Sequence, residues 1–257
     1  MHHTIRALGW IIAILWIIIL ILPVSVAFSL LELLEAENIG LKEPEGFMFN
    51  GNVSISIPFY VANPGFYNLE NVKLDLQIKV GTKTISTSSA ELPNVPAGEM
   101  VDSRCNLSLS LKEMLSNNKE LLTNDADLNG NASLSFRVAS VIAFRVSTGF
   151  SIHWGAPLNG LTLYRITYNE VSRIFSISLS FHNNAFFQLN ASLLVKLYNS
   201  ARELIGSTVQ NVNVPSQESF QDSLEIIIDD PSKITSEGIL RLYLADIQIL
   251  EEAWEFP

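Results

Sequence analysis

The sequence predicts an all-β fold, in which two tandem antiparallel β-sandwiches follow a single N-terminal transmembrane helix. Three observations support this prediction. Apolar and polar residues alternate with a period of two along most of the chain, as they do in half-buried strands. Several local patterns occur twice in the same order, which indicates a duplicated module. Residues 7–28 carry no charge, which is typical of a segment that crosses a bilayer.

The uncharged stretch at residues 7–28 is the first predicted element. As a helix it would extend about 33 Å at about 1.5 Å per residue, and a hydrocarbon core is about 30 Å thick. Arg6 precedes the stretch and Glu32 follows it. Because basic residues prefer the cytoplasmic side, we expect residues 1–6 in the cytoplasm and the C-terminal domains outside it, in a single-pass protein of the cell membrane.

A cleaved signal peptide is the alternative interpretation of this stretch. Ser25-Val26-Ala27 resembles a cleavage site at the end of an apolar region. The apolar region is longer than usual for a signal peptide, and leucines continue it over residues 30–34. We therefore favour an uncleaved signal anchor, and both interpretations place the rest of the chain outside the cytoplasm.

Composition limits the classes of partner. The 257 residues are enough for two domains, each with its own core. A net charge of -10 would repel nucleic acid, so we expect no nucleic-acid partner. Charged residues make up only 16%, which suits an exterior β protein such as a component of an archaeal or other prokaryotic envelope. The single Cys105 has no partner for an intramolecular disulfide, and its place on an apolar strand face predicts a buried, unreactive thiol.

The first domain, predicted over residues 29–155, is organised around residues 53–78. Two alternating stretches predict strands on either side of Asn63-Pro64-Gly65. Proline sets φ at the first central position of a type II turn, glycine supplies the positive φ at the second, and asparagine bonds its own backbone. We therefore predict a hairpin with a tight structural turn, in which a glycine or proline replacement costs stability before activity.

Other elements of the chain follow from the same patterns. Apolar residues at helical spacing predict a short helix over residues 111–122, and residues 229–234 occupy the equivalent place in the second domain. Residues 138–146 and 226–228 are apolar on both predicted faces, so we expect cover from two sides. Further strands of the first domain are predicted at residues 83–92, 100–109 and 132–154.

A second copy of the module begins near residue 156. The pattern of residues 54–59 recurs at an offset of 122 residues, and Val95-Pro-Ala-Gly-Glu99 recurs as Val214-Pro-Ser-Gln-Glu218 at an offset of 119. Alternating strands resemble one another by chance, but the matching loop does not follow from alternation. The second copy has His182-Asn183-Asn184-Ala185 at the turn, without Pro-Gly, so we expect it to have lost the turn.

The strand that ends in V-A-N-P-G-F, the alternating strand after it, the V-P-A-G-E loop and the short helix resemble the late-embryogenesis-abundant group 2 family. This family is also called the water-stress and hypersensitive-response (WHy) domain. The resemblance covers about residues 29–155 and, through the repeat, residues 156–257, and its signature is the Asn63-Pro64 turn. It implies immunoglobulin-like or fibronectin-III-like sandwiches, a membrane anchor, no enzymatic activity, and roles in stress protection or lipid binding.

Motifs for catalysis are missing from the sequence. None of the four histidines stands with Cys, Asp or Glu at a metal-ligand spacing, and His153 is expected to be solvated. No nucleophile elbow, P-loop or dinucleotide fingerprint occurs. We therefore expect a protein that is not an enzyme and has no cofactor.

One sequence motif points to a metal. Asp125, Asp127 and Asn129, followed by Gly130, match the first half of a calcium loop. The twelfth position of such a loop requires glutamate, and here it is Phe136. A polar turn is the favoured interpretation, with calcium as the alternative.

Four N-glycosylation sequons lie on predicted polar strand faces. They begin at Asn52, Asn106, Asn131 and Asn190. About three are expected by chance in a chain so rich in Asn, Ser and Thr, so they support an exterior location only weakly.

These observations favour a membrane-anchored extracytoplasmic protein with a binding, envelope-structural or stress-protective role. One alternative is a lipid-binding or lipid-transfer-like protein with an apolar groove in the sandwich. The other is a subunit of a cell-surface filament or lattice. The expected partners are the membrane, lipid, or another envelope protein.

Overall fold

The structure is a computed structural model, and it describes residues 2–35, 38–49, 51–115, 118–244 and 246–255. A long helix, α1 (His2–Leu33), comes first, and β-strands make up most of the remaining chain. A short helix, α2 (Leu111–Leu115), and two 3-10 turns at Lys119–Leu122 and Pro231–Lys233 interrupt the strands.

Fifteen strands follow α1 in the part of the chain that the structure describes. Those of the first half are β1 (Ile39–Leu41), β2 (Glu45–Phe49), β3 (Asn52–Ala62), β4 (Leu69–Val80), β5 (Lys83–Glu91), β6 (Met100–Ser110), β7 (Ala126–Val138) and β8 (Ile142–Trp154). Those of the second half are β9 (Asn159–Asn169), β10 (Ile174–His182), β11 (Phe187–Asn199), β12 (Leu204–Val214), β13 (Ser219–Ile227), β14 (Glu237–Leu244) and β15 (Ile247–Glu255).

Each half of the chain folds as a β-sandwich. In the first sandwich, β3 pairs with β6 on one side and with β1 and β2 on the other, and this sheet faces a second sheet in the order β5-β4-β7-β8. In the second sandwich, the sheet β13-β10-β9 faces the sheet β12-β11-β14-β15. This is the strand arrangement of immunoglobulin-like sandwiches, so the predicted all-β fold class is confirmed.

The duplication extends to irregular features of the strands. A register shift between Ile78 and Lys79 interrupts the β4–β5 ladder, and one between Leu197 and Tyr198 interrupts the β11–β12 ladder at the corresponding place. The predicted link between the two domains falls between β8 and β9. The predicted helix at residues 111–122 is present as α2 and the first 3-10 turn, and residues 116–117 lie outside the described residues.

The predicted hairpin of residues 53–78 is wrong. Its two strands, β3 and β4, lie in different sheets and do not pair. Residues 63–68, which we call the first crossover, carry the chain from one sheet to the other, and Gly65 does not have a positive φ, so no type II turn forms there. Alternation predicts two strands equally well in a hairpin and in a crossover, because both expose one face of each strand.

The helix α1 ends against the first sandwich. Residues 8–33 are long and apolar enough to cross a membrane, by length and composition, as a signal sequence also is. Val26, Ser29 and Leu33 are buried, while residues 8–24 are exposed. The helix therefore continues beyond the predicted bound at residue 28 and becomes part of the folded body.

The two sandwiches share a junction with both backbone and aromatic contacts. Residues 46–47 of β2 pair in parallel with residues 187–188 of β11, which links the two sandwiches through one sheet. The Trp154 ring lies 5.1 Å from the Phe187 ring and 6.4 Å from the Phe186 ring. Gly155 allows this approach, because a Cβ there would meet the backbone of Asn184.

Candidate functional site

The first crossover is held by one asparagine side chain. The Asn63 Nδ2 donates to the Tyr67 carbonyl at 2.9 Å and to the Val95 carbonyl at 3.0 Å, and its Oδ1 accepts from the Gly65 amide at 3.2 Å. Its backbone amide donates to the Glu99 carbonyl. Asn63 is buried, so these bonds satisfy backbone groups that water does not reach.

The second crossover, residues 183–186, repeats this arrangement. The Asn183 Nδ2 donates to the Phe187 carbonyl at 3.0 Å and to the Val214 carbonyl at 3.1 Å, and its Oδ1 accepts from the Ala185 amide at 3.1 Å. Its backbone amide donates to the Glu218 carbonyl. The expectation that the second copy has lost the turn is therefore wrong, because the essential residue is the asparagine, with Ala185 in the place of Gly65.

These contacts also correct the register of the repeat. Asn183 corresponds to Asn63, so the strands before them match at an offset of 120 residues, two fewer than the pattern of Ser and Ile suggests. The V-P-x-x-E loop keeps its offset of 119 residues, and its Val and Glu carbonyls are partners of the asparagine. A slip of two residues leaves every side chain on the same strand face, so alternation alone does not detect it.

The favoured interpretation of a polar turn is wrong for residues 127–129, because this part of the motif lies along a strand. Asp127 and Asn129 belong to β7, and its extended backbone lacks the sharp turn that brings the oxygens of a calcium loop together. The Asp127 Oδ1 instead lies 3.1 Å from His153 Nδ1, and both side chains are exposed. Among the described residues, no group of three His, Cys, Asp or Glu side chains is placed to hold a metal.

Asp125 has a different role, at the junction between the sandwiches. Its Oδ1 accepts from the Ala156 amide at 2.7 Å, and its two oxygens accept from Asn184 Nδ2 at 3.2 and 3.0 Å. The backbone amide of Asn184 donates in turn to the backbone carbonyl of Ala156 at 3.0 Å. The carboxylate thus ties the end of the first sandwich to the second crossover.

The remaining predicted site residues are placed as their strand faces indicated. The four sequon asparagines are exposed on β3, β6, β7 and β11, where a glycan has access to solvent. Cys105 is fully buried on β6. Burial raises the pKa of its thiol above the ordinary value, and a hydrogen bond with Ser88 lowers it less. The thiolate is therefore disfavoured, as expected for an unreactive cysteine.

An apolar groove runs along one open side of the first sandwich, between β1–β2 and β8. Its inner part is a cavity of about 170 Å³, and its outer part, at the junction, is a cavity of about 450 Å³. Leu41 lines both parts. The other residues of the inner part are Ile39, Gly40, Phe59, Leu74, Ala132, Leu134, Val146 and Thr148.

The groove is open because the strand at this edge of the first sandwich is broken. Residues 42–44 separate β1 from β2, and Pro44 has no amide hydrogen to continue the ladder with β3. In the second sandwich the corresponding strand, β9, runs for 11 residues. On the opposite side of the groove, Val146 and Phe150 of β8 are only half-buried, because no strand among the described residues covers them.

Polar groups lie at the outer end of this groove. Lys42, His153, Asn184 and Gln217 line the outer cavity together with Phe150, Ile152 and Phe186. The Lys42 ammonium is 2.7 Å from an Asp102 carboxylate oxygen. The groove therefore has an apolar inner end and a mixed outer end, which suits an amphipathic molecule.

The expectation that residues 138–146 and 226–228 are covered from two sides is wrong. Val141 in the segment 138–146 is 75% exposed at the β7–β8 turn, and Ile227 is 68% exposed, so neither segment is covered on both faces. Of these segments, only Val146 lines the groove. The sequence signal for the groove is Pro44. This proline interrupts the edge strand in the first copy of the repeat and has no counterpart within β9 of the second copy.

Comparison with known proteins adds little to this geometry. No family model and no curated protein sequence matches the chain. Red sea bream transglutaminase is 11% identical with a TM-score of 0.34, and the match covers 86% of this chain but only 31% of the transglutaminase. The YadV chaperone is 10% identical with a TM-score of 0.29, covering 85% of this chain and 100% of the chaperone. A Mobiluncus mulieris adhesin is 8% identical with a TM-score of 0.31, covering 81% of both chains. Similarity at this level carries no conclusion about function.

Proposed function

We propose that the chain is a membrane-anchored, extracytoplasmic binding protein without enzymatic activity, and that its groove holds the apolar part of a lipid-like ligand. The observation that carries this proposal is the pair of adjoining cavities that share Leu41. Apolar side chains around the inner cavity would contact a hydrocarbon chain, and its burial contributes about 0.8 kcal/mol per CH₂.

The position of the polar groups suggests how such a ligand is oriented. A hydrocarbon chain would occupy the space beside Leu134 and Val146, and a polar head would lie beside His153, Asn184 and Gln217. Amide and imidazole groups both donate and accept hydrogen bonds, so they suit a neutral or zwitterionic head. Lipid binding is also one of the roles that the resemblance to the WHy domain implies.

The packing of α1 supports an uncleaved anchor. Cleavage after Ala27 would remove Ser25 and Val26, and Val26 is a buried residue of the core. The Ser25 hydroxyl is 2.7 Å from the Tyr67 hydroxyl, so this part of the helix makes specific contacts with the first crossover. With Arg6 on the cytoplasmic side, both sandwiches would lie outside the cytoplasm.

Native mass spectrometry of the intact protein, released from mild detergent, tests the groove. We expect a retained lipid on the wild-type protein and its loss in Leu41→Asp, because the carboxylate would lie between the two cavities. Leu41 is 37% exposed, so this change should leave the fold intact. Leu204→Asp is the matched control, since Leu204 is 50% exposed on the second sandwich. Equal retention by the two variants would contradict the proposal.

A further inference from the structure

We infer that the end of the first sandwich that receives α1 sits in the interface of the bilayer, where the side chains of Phe66, Met100 and Val141 contact lipid. This surface is separate from the groove. The inference rests on the membrane anchor of the proposed function, and it does not require a ligand in the groove.

Three exposed apolar side chains come together at this end from different segments. Phe66 is in the first crossover and is 67% exposed. Met100, at 59% exposed, begins β6 opposite Ala62, the last residue before the crossover. Val141, at 75% exposed, is in the β7–β8 turn, three residues after Val138, which pairs with Leu69 at the start of β4. Large side chains exposed together at one end of a domain indicate a contact surface.

The length of α1 sets the depth of this end. A helix needs about 20 residues to cross a hydrocarbon core of about 30 Å. Counted from Leu8, where the apolar span begins, such a crossing ends close to Ser25–Phe28. The outer boundary of the hydrocarbon core is therefore expected beside these residues.

Direct contacts hold the first crossover at that depth. The Ser25 hydroxyl is 2.7 Å from the Tyr67 hydroxyl, and the Phe66 amide donates to the Ser29 Oγ at 2.8 Å. Gly65 lies so close to the helix that a Cβ there would be 2.8 Å from the Ser29 Cβ. The crossover contacts the helix at the end of the membrane-spanning segment, so no linker separates this end of the sandwich from the bilayer.

The side chains at this end suit a zwitterionic lipid surface. Tyrosine is favoured at the depth of lipid headgroups, and Tyr67 is placed there. The helix itself exposes Phe28 at this boundary and Leu31 just after it. Glu35 and Glu99 are exposed in the same region, and the whole chain carries a net charge of -10, so an anionic surface would be repelled.

Fluorescence quenching in vesicles tests this inference. The intact protein, reconstituted in phosphatidylcholine vesicles, would carry a fluorescent label on Val141→Cys or on Val171→Cys. Val171 is the matched control, because it is a valine at an exposed turn of the second sandwich, far from α1 along the chain. Cys105 is buried, and the wild-type protein shows whether it takes up label.

We expect lipids with a nitroxide near the headgroup to quench the label at position 141 several-fold more strongly than the label at position 171. Phe66→Cys provides a second position and should behave like Val141→Cys. Equal, weak quenching at positions 66, 141 and 171 would overturn the inference. Repeating the measurement with Leu41→Asp separates the two proposals, because loss of the groove ligand should leave the quenching unchanged.

Discussion

At the scale of single residues, Asn63 and Asn183 carry the architecture of both sandwiches. A chain that passes from one sheet to the other leaves buried backbone groups without ladder partners, and a carboxamide can both donate and accept. Each asparagine connects its own crossover to the V-P-x-x-E loop. The bonds correspond in the two copies to within 0.1 Å, although the two residues after each asparagine differ.

Replacement of Asn183 by alanine should therefore destabilise the protein strongly. Several buried backbone groups would lose their partners, and each such group costs about 1–3 kcal/mol, so we expect a loss of about 3 kcal/mol in the free energy of unfolding. Asn190→Ala is the control, because Asn190 is exposed on β11. Urea denaturation in detergent measures both, and similar midpoints for the two variants would contradict this role of the asparagine.

The buried thiol of Cys105 gives a second prediction at this scale. Burial raises the pKa of this thiol, so the reactive thiolate is disfavoured in the folded protein. Unfolding exposes the thiol and removes this effect. We expect no reaction with a thiol reagent under native conditions at pH 8, and full reaction in denaturant. Rapid native labelling would show that β6 opens far more readily than its pairing with β3 implies.

At the scale of elements, the contact between α1 and the first crossover depends on a missing side chain. Gly65→Ala would place a Cβ 2.8 Å from the Ser29 Cβ and Oγ, and overpacking of this kind typically costs about 1–3 kcal/mol. Gly149→Ala is the control, since the nearest atom to a Cβ there is 3.9 Å away.

Removing the Ser29 side chain should relieve this clash. We expect the Gly65→Ala and Ser29→Gly double variant to unfold at a higher temperature than the sum of the two single changes predicts. Strictly additive shifts would mean that the helix does not pack on the crossover in solution.

Hydrogen bonds of Asp125 tie the two sandwiches together at their junction. Asp125→Ala would remove the acceptor of the Ala156 amide and of Asn184, and we expect faster proteolysis of the link between β8 and β9. Asp127→Ala, which loses an exposed contact with His153, is the control.

Calcium at millimolar concentration should leave the melting temperature of the wild-type protein unchanged. A clear increase in the melting temperature would favour the calcium interpretation of residues 125–130.

Most elements could be predicted from the sequence, but their partners could not. The period-two pattern located β5 and β6 to within one or two residues at each end. It does not say whether β3 pairs with β4, because strand pairing is decided by contacts between distant segments. The favoured polar turn at residues 125–130 was wrong in part for the same reason, since the sequence does not show that residues 127–129 are extended.

At the scale of the whole molecule, α1, the first sandwich and the second sandwich are connected one after another through the two crossovers. The first crossover receives the end of α1, and the second crossover receives the end of the first sandwich through Asp125. The crossover of each module thus makes the contact with the preceding element, which is α1 in the first module and the first sandwich in the second.

The groove could not be located from the sequence. Its position depends on where the chain separates β1 from β2 and on which strand lies opposite them.

The central claim is that α1 belongs to the mature protein as a membrane anchor. The intact mass of the protein purified from membranes, after release of any N-glycans, tests this claim most directly. We predict a mass that includes residues 1–27, because Ser25 and Val26 pack on the first sandwich. A mass that corresponds to a chain beginning at Phe28 would contradict the claim, since the sandwiches would then carry no anchor at this end.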